Sequence, residues 1–183
     1  MNLYEDDESF RPNTSIGYLI RRIHVMGGQL IEPIFAREGI TATQWSSLAM
    51  ILMTDANTCV ALARDMGYDK GAMTRVVDQL EERGLLRRAR DDGDRRQINL
   101  SLTPEGREIA LRCKRQVQQC WNAVLAEWDR EELEGLIGGL QRLKATFENA
   151  VNEGGCARAG LSGRWARSPC CSPVAPPPRR ISR

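Results

Sequence analysis

The sequence predicts a mainly α-helical chain carrying one small β-hairpin, and three observations support that prediction. Apolar residues recur at spacings of three and four through most of residues 14–151, the period of amphipathic helices. The pattern switches once, at Ile98, Leu100 and Leu102, to alternation with Asn99 and Ser101, the period of a half-buried strand. Capping residues stand where the helical stretches should begin: Thr41 with Gln44, Asp69, Thr103 with Pro104, and Asp129 with Glu132.

In chain order, residues 1–12 are polar and acidic and read as a flexible N-terminal arm. A long helix is expected from Thr14 to Glu38, with Ile16, Leu19, Ile20, Ile23, Leu30 and Ile34 in one stripe. Gly27, Gly28 and Pro33 should kink or break it. A second helix opens at Thr41 as a capping box, buries Trp45, Leu48, Ile51 and Leu52, and ends near Met53. A short helix from Thr58 to Met66 stops at Gly67, and Asp69 caps the next, Lys70 to Arg83, which Gly84 closes. Two helices joined by Gly67-Tyr68-Asp69 match a helix-turn-helix.

Leu85 to Arg90 is extended in character, Asp91 to Asp94 is a turn, and the alternating strand returns. A helix then opens at Thr103, with Pro104 where its missing N–H does no harm. Its stripe is Ile109, Cys113, Val117, Cys120, Trp121, Val124 and Trp128. The last helix, capped by Asp129, carries Leu133, Leu136, Leu140, Leu143 and Phe147 at the steps of a coiled-coil seam. Residues 153–183, rich in Gly, Ser, Cys, Pro and Arg, read as a disordered tail.

Composition narrows the function. The net charge is +2, but residues 153–183 hold six arginines and a single acid, so residues 1–152 are mildly acidic. Nucleic-acid binding by the folded part therefore needs a local basic patch. Six cysteines without a CxxC pair, and His24 as the one histidine, argue against a structural zinc site. With no Gly-rich phosphate loop and no nucleophile elbow, an enzyme is disfavoured and no cofactor or metal is expected. No apolar run approaches the ~18–20 residues of a membrane span, and no signal core precedes residue 25. A soluble, cytoplasmic protein with reduced cysteines is the expectation.

The helix-turn-helix and hairpin together point to duplex DNA. The first half of the second helix can enter a major groove, with Lys70, Thr74 and Arg75 in reach of bases or phosphates and Gly71 allowing close approach. Arginines suit the narrow, negative minor groove, and the hairpin carries Arg88, Arg90, Arg95 and Arg96, with Asp94 spaced to orient Arg96. The hairpin is thus a wing. A winged helix used only for protein contacts is the alternative.

These residues also carry a resemblance. Leu80 to Arg87 (Leu-Glu-Glu-Arg-Gly-Leu-Leu-Arg), the wing Asp91 to Arg96 (Asp-Asp-Gly-Asp-Arg-Arg) and Leu100 to Gly106 (Leu-Ser-Leu-Thr-Pro-Glu-Gly) resemble the MarR (multiple antibiotic resistance regulator) family over residues 14–151. The resemblance implies a winged helix-turn-helix DNA-binding lobe at residues 41–102 and dimerisation helices at 13–38 and 103–151, within one domain of residues 13–152. It implies a homodimer on a palindromic operator, usually as a repressor, since blocking promoter access is the family's common mode. Many members are released by small aromatic acids, phenols or drugs bound between the dimer helices and the DNA-binding lobe. The residues that would line that pocket are Arg21, His24, Met26 and Trp45, with plain packing as the competing role for His24 and Trp45. Some relatives sense oxidants through a cysteine early in the first helix; here no cysteine precedes Cys59.

Overall fold

The computed structural model describes residues 10–54, 56–90 and 97–152. The expected arm and tail, and the wing tip at residues 91–96, lie outside these. The described chain is helical with one hairpin: α1 (Ile16–Arg37), α2 (Ala42–Met53), α3 (Cys59–Met66), α4 (Lys70–Glu82), β1 (Leu86–Arg90), β2 (Ile98–Leu102), α5 (Pro104–Val124) and α6 (Arg130–Asn152). It divides into two compact units, residues 1–126 and 127–183.

Local chemistry fixes the helix starts. Ser15, Thr41, Thr58, Asp69 and Thr103 each accept a backbone N–H of the first turn that follows, satisfying a donor without an intrahelical partner. At Thr41 the capping box is complete, because Gln44 Oε1 accepts from the Thr41 N–H at 2.9 Å. Gly39, Gly67 and Gly84 hold the left-handed conformations that end α1, α3 and α4.

α1 is a single helix through Gly27, Gly28 and Pro33, so the expected break does not occur. Gly27 has another use. A Cβ there would lie 2.9 Å from Cη2 of Trp121, so the glycine lets α1 approach α5. α5 ends at Val124, short of Trp128.

The core of the first unit forms where α2, α4, α5 and the base of the hairpin meet. Phe35, Leu48, Leu62, Met73, Val77, Leu80, Leu85, Leu86 and Cys113 are all but fully buried. Each of the Phe, Leu, Met and Val side chains among them contributes about 1.5–3 kcal/mol of apolar burial. Burial in α4 falls on Met73, Val77 and Leu80, three residues of one helical face, which turns Lys70, Gly71 and Arg75 outward. β1 and β2 pair antiparallel, with Leu86 opposite Leu102 and Arg88 opposite Leu100.

α1 behaves differently along its length. Ile34 and Phe35 are buried at its C-terminal end, but Ile16, Leu19, Ile20, Ile23, Met26 and Leu30 are exposed. α6, in the second unit, opens on a reciprocal capping box between Asp129 and Glu132, with both hydrogen bonds at 2.8–2.9 Å. It has no buried residue. Of the seam, Leu133 and Leu143 are half-buried, and Leu136, Leu140 and Phe147 are exposed.

Candidate nucleic-acid interface

The interface is built outward from the α3–α4 turn. The Tyr68 hydroxyl lies 2.9 Å from Thr43 Oγ1, tying the turn to α2. Ser47, buried on α2, donates to the Thr43 carbonyl at 2.9 Å and lies within sulfur hydrogen-bond range of Met66 and Met73. The Gln44 amide donates to Gln79 Oε1 at 3.1 Å, a second link from α2 to α4. These contacts hold α4 so that its N-terminus projects. The Asp69 carboxylate accepts from the Ala72 N–H at 2.9 Å. Lys70, Gly71 and Arg75 are exposed, and neither cation is paired with a carboxylate among the described residues.

Thr74 departs from its expected outward role. It is half-buried, its hydroxyl donates to the Lys70 carbonyl at 2.8 Å, and Cys59 Sγ lies 3.6 Å away. Its Oγ1 is thus taken up at the α3–α4 contact.

The hairpin rests on the core through Leu86 and Leu100, both buried. The Leu100 N–H donates to the Asn57 carbonyl at 2.6 Å, fixing β2 to the chain between α2 and α3. Arg87 and Arg90 are exposed. Asp94, Arg95 and Arg96, expected at the tip, lie outside the described residues. Arg88 departs from the expectation of a free DNA-facing cation. Its guanidinium donates to Glu81 Oε2 at 2.5 Å and Asp78 Oδ1 at 2.6 Å, while its own N–H donates to Glu81 Oε1 at 3.2 Å. Burial works against the charge of Arg88, but the hydrogen bonds to Asp78 and Glu81 outweigh it and hold its pKa above the usual arginine value. Asp78 and Glu81 were not singled out from the sequence. Their i, i+3 spacing on a helix just before an arginine-rich strand was the available signal.

The four residues set apart for a small ligand separate into two groups. Arg21, His24 and Met26 are exposed on α1. Trp45 is packed: its ring stacks on Phe35 with centroids 4.9 Å apart, and its indole N–H donates to the Ala110 carbonyl at 3.5 Å. Its polar handle is therefore already satisfied within the core. Cys113 is fully buried, and that burial pushes its thiol above the ordinary range, which disfavours the reactive thiolate. Among the described residues no group of three or more His, Cys, Asp or Glu side chains could hold a metal ion. No helix among them is long and apolar enough to cross a membrane.

Comparison with known proteins agrees with this geometry. The MarR family pattern matches residues 40–98, the span from two residues before α2 to the first residue of β2. A Thauera aromatica protein described as a candidate transcriptional regulatory protein for the hcr operon is 32% identical over 142 residues, covering 75% of this chain and 86% of its own. The multiple antibiotic resistance protein MarR of Salmonella typhimurium is 32% identical over 98 residues, covering 54% of this chain and 68% of its own. Among solved structures, a MarR mutant from Escherichia coli complexed with operator DNA superimposes with a TM-score of 0.62 at 26% identity, covering 70% of this chain and 92% of that one.

Proposed function

The chain belongs to the MarR family of transcriptional regulators, and from that premise we propose that it acts as a homodimeric repressor that reads a palindromic operator. The observation that carries the reading is the arrangement of α4. Its inner face is locked by Met73, Val77 and Leu80, while Lys70, Gly71 and Arg75 face outward at its positive N-terminal end. The similarity to a MarR structure bound to operator DNA supports the same face as the DNA-binding one.

Surface chemistry supports two copies. The exposed stripe on α1 and the exposed residues of α6 are large apolar side chains at helical spacing, the kind of surface a second copy covers. A two-fold dimer presents its two α4 helices to half-sites about one helical turn apart. Bound at a promoter, such a dimer excludes polymerase, which is repression. A small aromatic effector would release it by binding more tightly to a dimer whose recognition helices are wrongly spaced for the operator. Arg21 and His24 on α1 are the exposed groups that offer such a ligand a charge or a hydrogen bond.

The test is selection. Fragments of its own genome retained by the purified protein should share a palindrome with that half-site spacing. A winged helix serving protein contacts alone would enrich no sequence.

A further inference from the structure

Arg88, Asp78 and Glu81 form a cluster that DNA contact does not explain. A helix that approaches phosphates carries two carboxylates, Asp78 and Glu81, on the face that follows Thr74 by four and seven residues. Taken alone they oppose DNA binding, because like charges repel across the interface. Both converge on one guanidinium. Arg88 reaches Asp78 with one nitrogen and Glu81 with the other, a fork that lysine cannot reproduce.

The backbone takes part as well. Arg88 and Leu100 are opposite each other in the hairpin, and their N–H groups point away from the ladder. The Arg88 N–H meets Glu81 on α4, and the Leu100 N–H meets the Asn57 carbonyl before α3. The base of the wing is therefore pinned on both edges to the helix-turn-helix.

Resting on the DNA-binding reading above, we propose that Asp78, Glu81 and Arg88 are positioning residues for operator binding. They fix the wing strand to the C-terminal half of α4, and so set the distance between Arg87 and Arg90 of β1 and Lys70 and Arg75 of α4. Their role is to hold two DNA-contacting elements in register, with Arg88 itself turned away from the phosphates. Pre-organisation of this kind removes an ordering cost that binding would otherwise bear.

The two roles predict opposite signs. In Asp78→Ala/Glu81→Ala two negative charges leave the interface, so charge alone would tighten binding to any duplex. Loss of positioning instead weakens binding to the selected operator by at least tenfold while binding to a scrambled duplex holds or rises. The measurement is fluorescence anisotropy with both duplexes at fixed salt, beside the wild-type protein. Operator affinity that is unchanged or tighter overturns the proposal. Arg88→Lys is the second arm. It keeps the charge and loses the fork, so it should lose operator affinity in the same direction; retained affinity marks Arg88 as a simple cation and overturns the proposal even if the double variant unfolds. Amide exchange at Arg88 in wild type and Glu81→Ala supplies a readout free of DNA, faster exchange being expected in the variant. A wild-type protein that fails to distinguish operator from scrambled duplex sinks the DNA-binding reading itself, an outcome separate from either variant result.

Discussion

The carbonyl oxygen of Leu85 stands 1.8 Å from where a Cβ would lie on Gly106. This close approach joins the end of the α4–β1 turn to the first turn of α5. Around it, the Thr103 hydroxyl donates to the Gly84 carbonyl at 2.7 Å and accepts the Gly106 N–H at 3.0 Å, and the Thr103 N–H meets Leu85 O at 3.1 Å. Thr103 thereby caps α5 while closing the hairpin, which is a physical reason for the Leu-Thr-x-x-Gly spacing.

Gly106→Ala should therefore reverse the usual helix preference. Alanine normally stabilises a helix interior by about 1 kcal/mol relative to glycine. Here it meets a backbone carbonyl that cannot move without the hairpin, and a loss of more than about 3 kcal/mol is expected, in the range of severe overpacking. Urea unfolding at neutral pH measures it. An increase in stability would show that the wing and α5 are not locked at this point.

Thr103→Val should also destabilise, by about 1–2 kcal/mol, because it removes a helix cap and the donor to Gly84 while keeping the side-chain shape. A melting temperature equal to wild type would contradict the double role of the hydroxyl.

A pH prediction comes from α1 and α5. Arg112 grips Glu38 at both carboxylate oxygens, at 3.1 and 2.8 Å, and these hydrogen bonds outweigh burial to hold the Glu38 carboxyl below its ordinary range. Arg83, at the end of α4, donates to the Gly39 and Glu38 carbonyls, so the same loop ties α4 to α5. A carboxylate whose pKa is lowered by folding stabilises the fold at pH values above its unfolded pKa. That contribution is lost as pH falls through the lowered folded value. Glu38→Gln should thus lower the urea midpoint at pH 7, and its difference from wild type should close in acid. A difference that stays constant into acid would remove the ion pair as the cause.

Dimerisation is tested on α1. Ile23, 61% exposed, lies in the middle of the apolar stripe. Ile23→Glu places a charge where a second copy would bury it, which costs several kcal/mol when unpaired. Sedimentation should shift from dimer to monomer while the helical content of the first unit is kept. A variant that remains dimeric would move the interface off this stripe.

Much of this was legible because local rules suffice for it. The caps at Thr41, Asp69, Thr103 and Asp129 and the switch of period at Ile98 placed the starts of the elements to within a residue or two. What the sequence concealed was tertiary. Gly27 suggested a weak helix, but its use is to admit Trp121, a residue on another helix. Trp128 continued the stripe of α5 by spacing, yet the helix stops at Val124. Arg88 looked like its neighbours Arg87 and Arg90, and its partners Asp78 and Glu81 become visible once β1 is laid against α4. Thr74 similarly faces Cys59 because of how α3 and α4 pack. Charge composition alone gives a cation no direction.

Lys70 and Arg75 are the α4 side chains proposed to contact DNA. Lys70→Ala should weaken binding to all duplexes about equally and reduce the salt slope by roughly one, as for a phosphate contact. Arg75→Ala should cost roughly 1–3 kcal/mol and relax specificity, as for a base contact. Anisotropy with operator and single-base variants separates the two. Equal effects on every duplex from Arg75→Ala would reduce it to a phosphate contact.

The most direct test of the account is the salt dependence of binding to the selected operator duplex. Log affinity should fall linearly with log salt, with a slope near −0.9 for each phosphate contacted, and operator should be preferred over scrambled sequence at every salt concentration. Binding that ignores salt, or that does not separate operator from scrambled duplex, would contradict the assignment of α4 and the wing as a DNA-reading surface.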